Sequence, residues 1–236
     1  MQTRKQRNKN IVMTDNIVVQ YFIKGGWIMW PILITSIVAI SVIIERTIWW
    51  ILESRKRETD KLDQVYGALE NGDVKSASAY ARSSHDPLLR VIWHGLNHYH
   101  ASLQGALQVA AGIELERAGR FLVVLDTIVT LAPLLGLLGT VTGLIRAFFR
   151  LGDVELSEQA IGGGIAEALI ATASGLVIAV VALIALNYFS AKLAKFQFEL
   201  QTAATNTEVL TGTAVAALAA KEKESISYET RFTAAA

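Results

Sequence analysis

Cysteine is absent from the 236 residues, and charged side chains make up only 18% of them. The first absence excludes disulfides and thiolate chemistry. The second leaves too little polar surface to wet the outside of a soluble globule, and hydrophobic residues reach 52%. Net charge is +1, so no polyelectrolyte partner is implied. The basic start (Arg4, Lys5, Arg7, Lys9) is four residues on a terminus, too slight a feature to imply nucleic acid. No nucleophile elbow, P-loop or dinucleotide fingerprint is present, so no catalytic constellation and no cofactor is expected. Internal repeats are lacking too, which argues against a solute transporter built from inverted halves.

The apolar residues are clumped. Gly25 to Ile44 runs 20 residues without a charge, Thr127 to Ile145 runs 19, and Ala168 to Ala191 runs 24. A helix of about 20 residues crosses a hydrocarbon core of roughly 30 Å. Three spans are therefore expected, in an all-α membrane protein whose helices extend into a helical cytoplasmic region. Trp27 and Trp30 bracket one end of the first run and Trp49 and Trp50 the other, the spacing of interfacial aromatic belts. The basic start and apolar run resemble a signal peptide. The run is too long for one and no small-residue cleavage pattern follows, so a retained anchor is predicted.

The expected layout has an N-terminal segment at 1–24 and a first span at 25–50. A cytoplasmic helical region follows at 51–120, then a second span at 121–149 and a connector at 150–163. A third span at 164–191 and a cytoplasmic tail at 192–236 complete it. Asn71-Gly72 reads as a turn, and Asp86-Pro87 as an N-cap followed by proline in the first helical turn. The helix near 101–120 is expected to run unbroken into the second span. Basic residues within 53–61, with Lys192 and Lys195, put the 51–120 region and the C-terminus on the cytoplasmic side. The connector is acidic and glycine-rich, holds only Arg150 as a base, and is placed outside with the N-terminus.

The second and third spans carry the chemistry. Gly136, Gly139 and Gly143 form one small-residue stripe, and Ala171, Gly175 and Ala179 form another. Between helices in lipid there is little hydrophobic drive, so small residues let backbones approach and gain dispersion contacts. Thr140 and Thr172 lie within a turn of the same depth on opposite arms of this hairpin. Paired hydroxyls there suit proton relay or ion ligation; the alternative is that each bonds the i−4 carbonyl of its own helix. Glu167 is singled out because a carboxylate at membrane depth usually faces protein or a wet cavity and marks an ion pathway. Two alternatives compete: Glu167 reaching to the outer headgroups, or an ion pair with Arg146 that withdraws it from proton exchange. Asp126, Glu45 and Arg46 read as snorkelling interface residues. His85, His94, His98 and His100 lack a completing ligand, and the His94/His98 pair reads as a solvated helical face, so no metal site is expected.

Ala-Pro-Leu-Leu-Gly-Leu-Leu-Gly-Thr-Val (132–141) and Gly-Ile-Ala-Glu-Ala-Leu-Ile-Ala-Thr-Ala-Ser-Gly-Leu (164–176) resemble the hairpin of the ExbB/TolQ/MotA proton-channel family. A looser likeness covers about 20–200. Three spans rather than four point to the ExbB/TolQ branch. The resemblance implies a homopentamer in the bacterial inner membrane, surrounding single-span ExbD- or TolR-like partners and coupled to a TonB- or TolA-like energy transducer. It also implies that Glu167, Thr140 and Thr172 line the proton path. A Tol-type or gliding-motility output and a passive scaffold are the competing readings.

Overall fold

In hydrocarbon every backbone N–H and C=O must be satisfied within the segment, so uncharged runs of this length are expected as helix. The computed structural model describes residues 17–149 and 158–233, and among them it is helical throughout, with short turns and no strand. The described helices are α1 (Ile17–Lys24), α2 (Met29–Ser54), α3 (Thr59–Glu70), α4 (Val74–Arg82), α5 (Pro87–Asn97), α6 (Tyr99–Gly119), α7 (Leu122–Phe149) and α8 (Glu158–Thr233). Three stretches are long and apolar enough to cross a membrane: Met29–Ser54, Ser102–Phe149 and Gly162–Thr213. Arg4, Lys5, Arg7, Lys9 and the connector residues from Arg150 to Ser157 lie outside the described residues.

The chain divides into two compact units, the first from the described parts of Met1–Arg46 and Phe121–Phe189. Its helices meet on small side chains. Ala39, Ile128, Ala132, Ala179 and Ala182 form one buried cluster, and Ile28, Met29, Ile32 and Ala171 another. Most of the large apolar side chains point outward, among them Ile34, Leu134, Leu137, Val177 and Ile184. An apolar exterior over an alanine-rich interior suits a lipid solvent rather than water.

The second unit comprises Thr47–Arg120 and Ser190–Ala236. Its core is that of a water-soluble bundle, with Val65, Leu69, Leu89, Ile92, Leu107 and Leu200 fully buried. Asp86 caps α5 by accepting the Leu88 N–H at 2.9 Å, with Pro87 following in the first turn. Its other carboxylate oxygen accepts the Glu58 N–H at 2.9 Å, which ties the start of α3 to the start of α5. Gly72, at φ +78°, makes the turn after α3 that a residue with a Cβ adopts only under strain.

Two expectations are corrected. Helix α6 does not run unbroken into the second span: it ends at Gly119, Arg120 turns extended (ψ 136°), and Phe121 adopts φ +65° before α7 begins. Phenylalanine rarely takes a left-handed backbone, so the break needs outside support. The Arg46 guanidinium supplies a contact, 5.7 Å from the centre of the Phe121 ring. Nor does Arg46 snorkel. Only 1% of it is exposed, and it bonds the neighbouring Glu45 carboxylate at 2.5 and 2.6 Å. A guanidinium fixed by a carboxylate and an aromatic face has no need of headgroups. Asp126 is exposed.

Candidate functional site

The site lies in the first unit, on the α7–α8 hairpin. A Cβ on Gly136 would stand 3.0 Å from the Thr172 Cα, and one on Gly143 would stand 2.9 Å from the Ala168 Cβ. On Gly139 it would collide with the Ala171 Cβ, and on Gly175 with the Ala132 carbonyl oxygen. The two small-residue stripes are therefore in contact along the hairpin, at backbone distances that any larger side chain would force apart. Ala179, farther along α8, is buried with Ala39 of α2 and Ala132 of α7.

This close approach brings the Thr172 hydroxyl to the opposite arm. It donates to the Gly136 carbonyl at 2.8 Å, a bond between helices rather than within one. Thr140 behaves differently: its hydroxyl donates to the Leu137 carbonyl of its own helix at 2.7 Å. The two hydroxyls thus point to different acceptors and are not joined to each other. A hydroxyl keeps lone pairs free after donating its one proton, so each can still accept.

Glu167 stands near the N-terminal end of α8. Its Oε1 accepts from the Arg146 guanidinium of α7 at 2.9 Å, with 23% of the Glu167 side chain exposed and 44% of Arg146. The carboxylate also packs on the backbone of Gly26, in the elbow between α1 and α2, where the chain takes φ +73°. Three segments far apart in sequence therefore converge on one acidic side chain. Glu167 and Thr172 are five residues apart and face different neighbours, as about 140° of rotation on a helix dictates.

An open apolar groove of about 520 Å³ lies nearby, between the α1–α2 segment and α8. Its lining includes Phe22, Met29, Ile32, Ile170 and the hydroxyl side chains Ser36 and Ser174, with no ionisable side chain. In the second unit His94 and His98 stack with ring centres 5.0 Å apart, and the His98 Nδ1 lies 2.9 Å from the His94 carbonyl, which can only accept. Both are exposed, and among the described residues no three His, Asp or Glu side chains gather as a metal would need.

Residue chemistry had not singled out Gly26, which stands within the charge-free run from Gly25 to Ile44. Nor had it found the ionic cluster of the second unit. There Arg90 bonds Glu114 at 2.7 and 3.2 Å and Glu53 at 3.4 Å, while Arg117 bonds Glu114 at 3.2 Å. Glu53 and Glu114 are both buried. The available signals were acid–base spacings of three, between Glu53 and Lys56 and between Glu114 and Arg117.

Comparison with known proteins agrees with this architecture. The profile of the MotA/TolQ/ExbB proton channel family matches residues 83–202, 120 of the 236. A biopolymer transport protein of the ExbB-like type from Synechocystis sp. is 36% identical over 173 residues, covering 69% of this chain and 66% of its own length. A second ExbB-like protein of Synechocystis sp. is 32% identical over 171 residues, covering 70% of this chain and 81% of its own. The Tol-Pal system protein TolQ of Pseudomonas aeruginosa is 44% identical over 88 residues, 37% of this chain and 38% of that one. The family is one of channels and transport proteins rather than enzymes. With its apolar helices, glycine-lined hairpin and matching profile, this multi-pass membrane chain belongs to the MotA/TolQ/ExbB proton channel family, on its ExbB/TolQ branch.

Proposed function

We propose that the chain is the channel-forming subunit of a motor in the bacterial inner membrane, driven by the proton-motive force. Five copies enclose the helices of an ExbD- or TolR-like single-span partner, and a TonB- or TolA-like protein carries the output to the outer membrane. The N-terminus and the α7–α8 connector face the periplasm. Glu167, Thr172 and Thr140 line the proton path.

The observation that supports this most is Glu167 itself. It is a partly covered carboxylate on an apolar hairpin, set against the Gly26 backbone and held by Arg146 at 2.9 Å. That ion pair competes with proton exchange, so the proton role requires it to open. For a proton to pass, Arg146 has to swing away from the carboxylate and let water take its place. Thr172 lies one and a half turns deeper on α8 and can pass a proton by exchanging its bond to the Gly136 carbonyl for one to water. Each unit charge that crosses releases about 2.3 kcal/mol per 100 mV, so a few protons supply a sizeable conformational step.

Glu167→Ala and Thr172→Ala each abolish the energised output while leaving assembly intact on this account. Output at the parental level from Glu167→Ala rejects the role. A second reading follows from the same 2.9 Å bond: the Arg146–Glu167 pair is a latch that only fastens α7 to α8. Under that reading Arg146→Ala and Glu167→Ala weaken assembly equally, and output falls only as far as assembly does. The partner is tested separately, by whether the adjacent gene encodes a short single-span protein with one intramembrane aspartate.

A further inference from the structure

Glu167 is flanked by Arg146 on one side and by Gly26 on another, and the second contact has a specific requirement. A Cβ built on Gly26 would fall on the Glu167 Oε1 and stand 2.5 Å from its Cδ. The offending atoms belong to the carboxylate itself, the group that also receives the Arg146 bond, so the clash cannot be relieved without moving the chemistry. The backbone of Gly26 is left-handed at φ +73°, and the carbonyl of the same residue accepts the Met29 N–H at 3.2 Å as α2 begins. The position of the elbow is thereby tied to the first turn of the first span. Beyond the elbow, Ile28 and Met29 are buried against Ala171 of α8, one turn below Glu167. Phe22 of α1 meets Trp30 of α2 edge to face at 5.3 Å, which folds α1 back over the elbow.

We infer that Gly26 is a positioning residue for Glu167: the bare backbone of the α1–α2 elbow forms one wall of the carboxylate's seat, and the missing side chain lets the carboxylate reach Arg146. This rests on the proton role proposed for Glu167, and it adds a segment outside the hairpin to the proton site.

The test uses the full chain with its partner in lipid nanodiscs and a set of substitutions that separates backbone strain from displacement of the carboxylate. Gly26→Ala introduces both. Gly26→Asn introduces the Cβ at a residue type that tolerates a left-handed backbone. In the parental chain both variants should lower the melting temperature by about 5 °C or more. In the Glu167→Ala background, where the space is vacant, the loss for Gly26→Asn should shrink to less than half, and the difference measures the contact itself. Infrared titration of the Glu167 carboxyl, assigned by its disappearance in Glu167→Gln, should show a displaced midpoint in Gly26→Asn. Equal melting losses in the two backgrounds, or an unmoved midpoint, overturn the inference. The melting cycle does not depend on proton flow. A positive cycle with parental output from Glu167→Ala therefore discards the proton role and keeps the contact, whereas a negative cycle with no output from Glu167→Ala does the reverse.

Discussion

The two units of this chain solve helix packing in opposite ways. In the first, helices approach because side chains are missing: Gly136, Gly139, Gly143 and Gly175 each face backbone or a methyl group of the opposite arm. In the second, helices are joined by full-sized side chains, with leucines and valines in the core and Glu53, Arg90 and Glu114 bonded among them. Solvent explains the difference. In water, burial of a leucine contributes about 1.5–3 kcal/mol, so large side chains belong inside. In lipid that gain disappears, large side chains can remain outside, and close backbone contact becomes the main attraction. Among the described residues, the second unit gathers Arg90, Arg117 and Lys56 around its buried acids Glu53 and Glu114, whereas the first holds the Glu45–Arg46 pair and, on its hairpin, the pair of Arg146 and Glu167.

The sharpest way to break this contrast is to exchange the packing rules. Gly175→Leu places a large side chain where even a Cβ meets the Ala132 carbonyl. A loss of about 3 kcal/mol or more is expected from overpacking between two backbones, read as failure to recover the folded complex from membranes. The same exchange at Gly67, where nothing lies within 4 Å of an added Cβ, should leave the fold intact.

Arg90→Ala is next in size. It strips Glu114 and Glu53 of a shared partner while leaving both carboxylates buried, and Arg117 and Lys56 compensate only in part. About 2–3 kcal/mol should be lost, less than for a fully buried pair because Arg90 is itself a third exposed. Thermal unfolding followed by circular dichroism checks it, and Arg90→Met should recover part of the loss through packing. Asp86→Ala should follow with about 1–2 kcal/mol, since it removes the α5 cap and frees the Glu58 N–H. Asp86→Asn should cost less than Asp86→Ala, since its amide oxygen still caps.

The smallest effect is one of acidity. Asp73 begins α4, and hydrogen bonds from the Ser76 hydroxyl and backbone N–H hold its carboxyl below the ordinary aspartate range. A depressed carboxyl contributes stability that is full above the unfolded-state value, about 3.9, and is lost as pH falls through the lower folded-state value. Acid titration of the α4 cap should therefore show its loss only below about pH 4. Asp73→Asn should remove that part of the pH dependence and leave the hairpin unaffected.

How much of this was legible in the sequence depended on the range of the interaction. The spans are local, and charge-free runs such as Ala168 to Ala191 announce them. Caps and turns are local as well: Asp86 before Pro87 and Gly72 after Asn71 stand where their chemistry points. The break at Arg120–Phe121 was not legible, because neither residue is a helix breaker and the left-handed Phe121 meets Arg46 from a distant helix. The same separation hid the burial of Arg46 and the seat of Glu167. Its acid and its arginine were visible as a pair of candidates, but the glycine that shapes the third side lies in the N-terminal elbow. Thr172 was legible as a polar residue at depth, whereas its acceptor on the opposite arm depended on how closely Gly136 lets α7 approach.

Proton uptake into liposomes, measured with an enclosed pH dye after an imposed potential, bears most directly on the role of Glu167. Liposomes carrying the chain with the single-span protein proposed as its partner should acidify, and Glu167→Gln should reduce the rate at least tenfold at equal protein content and unchanged assembly. Acidification by Glu167→Gln at the parental rate would contradict the account.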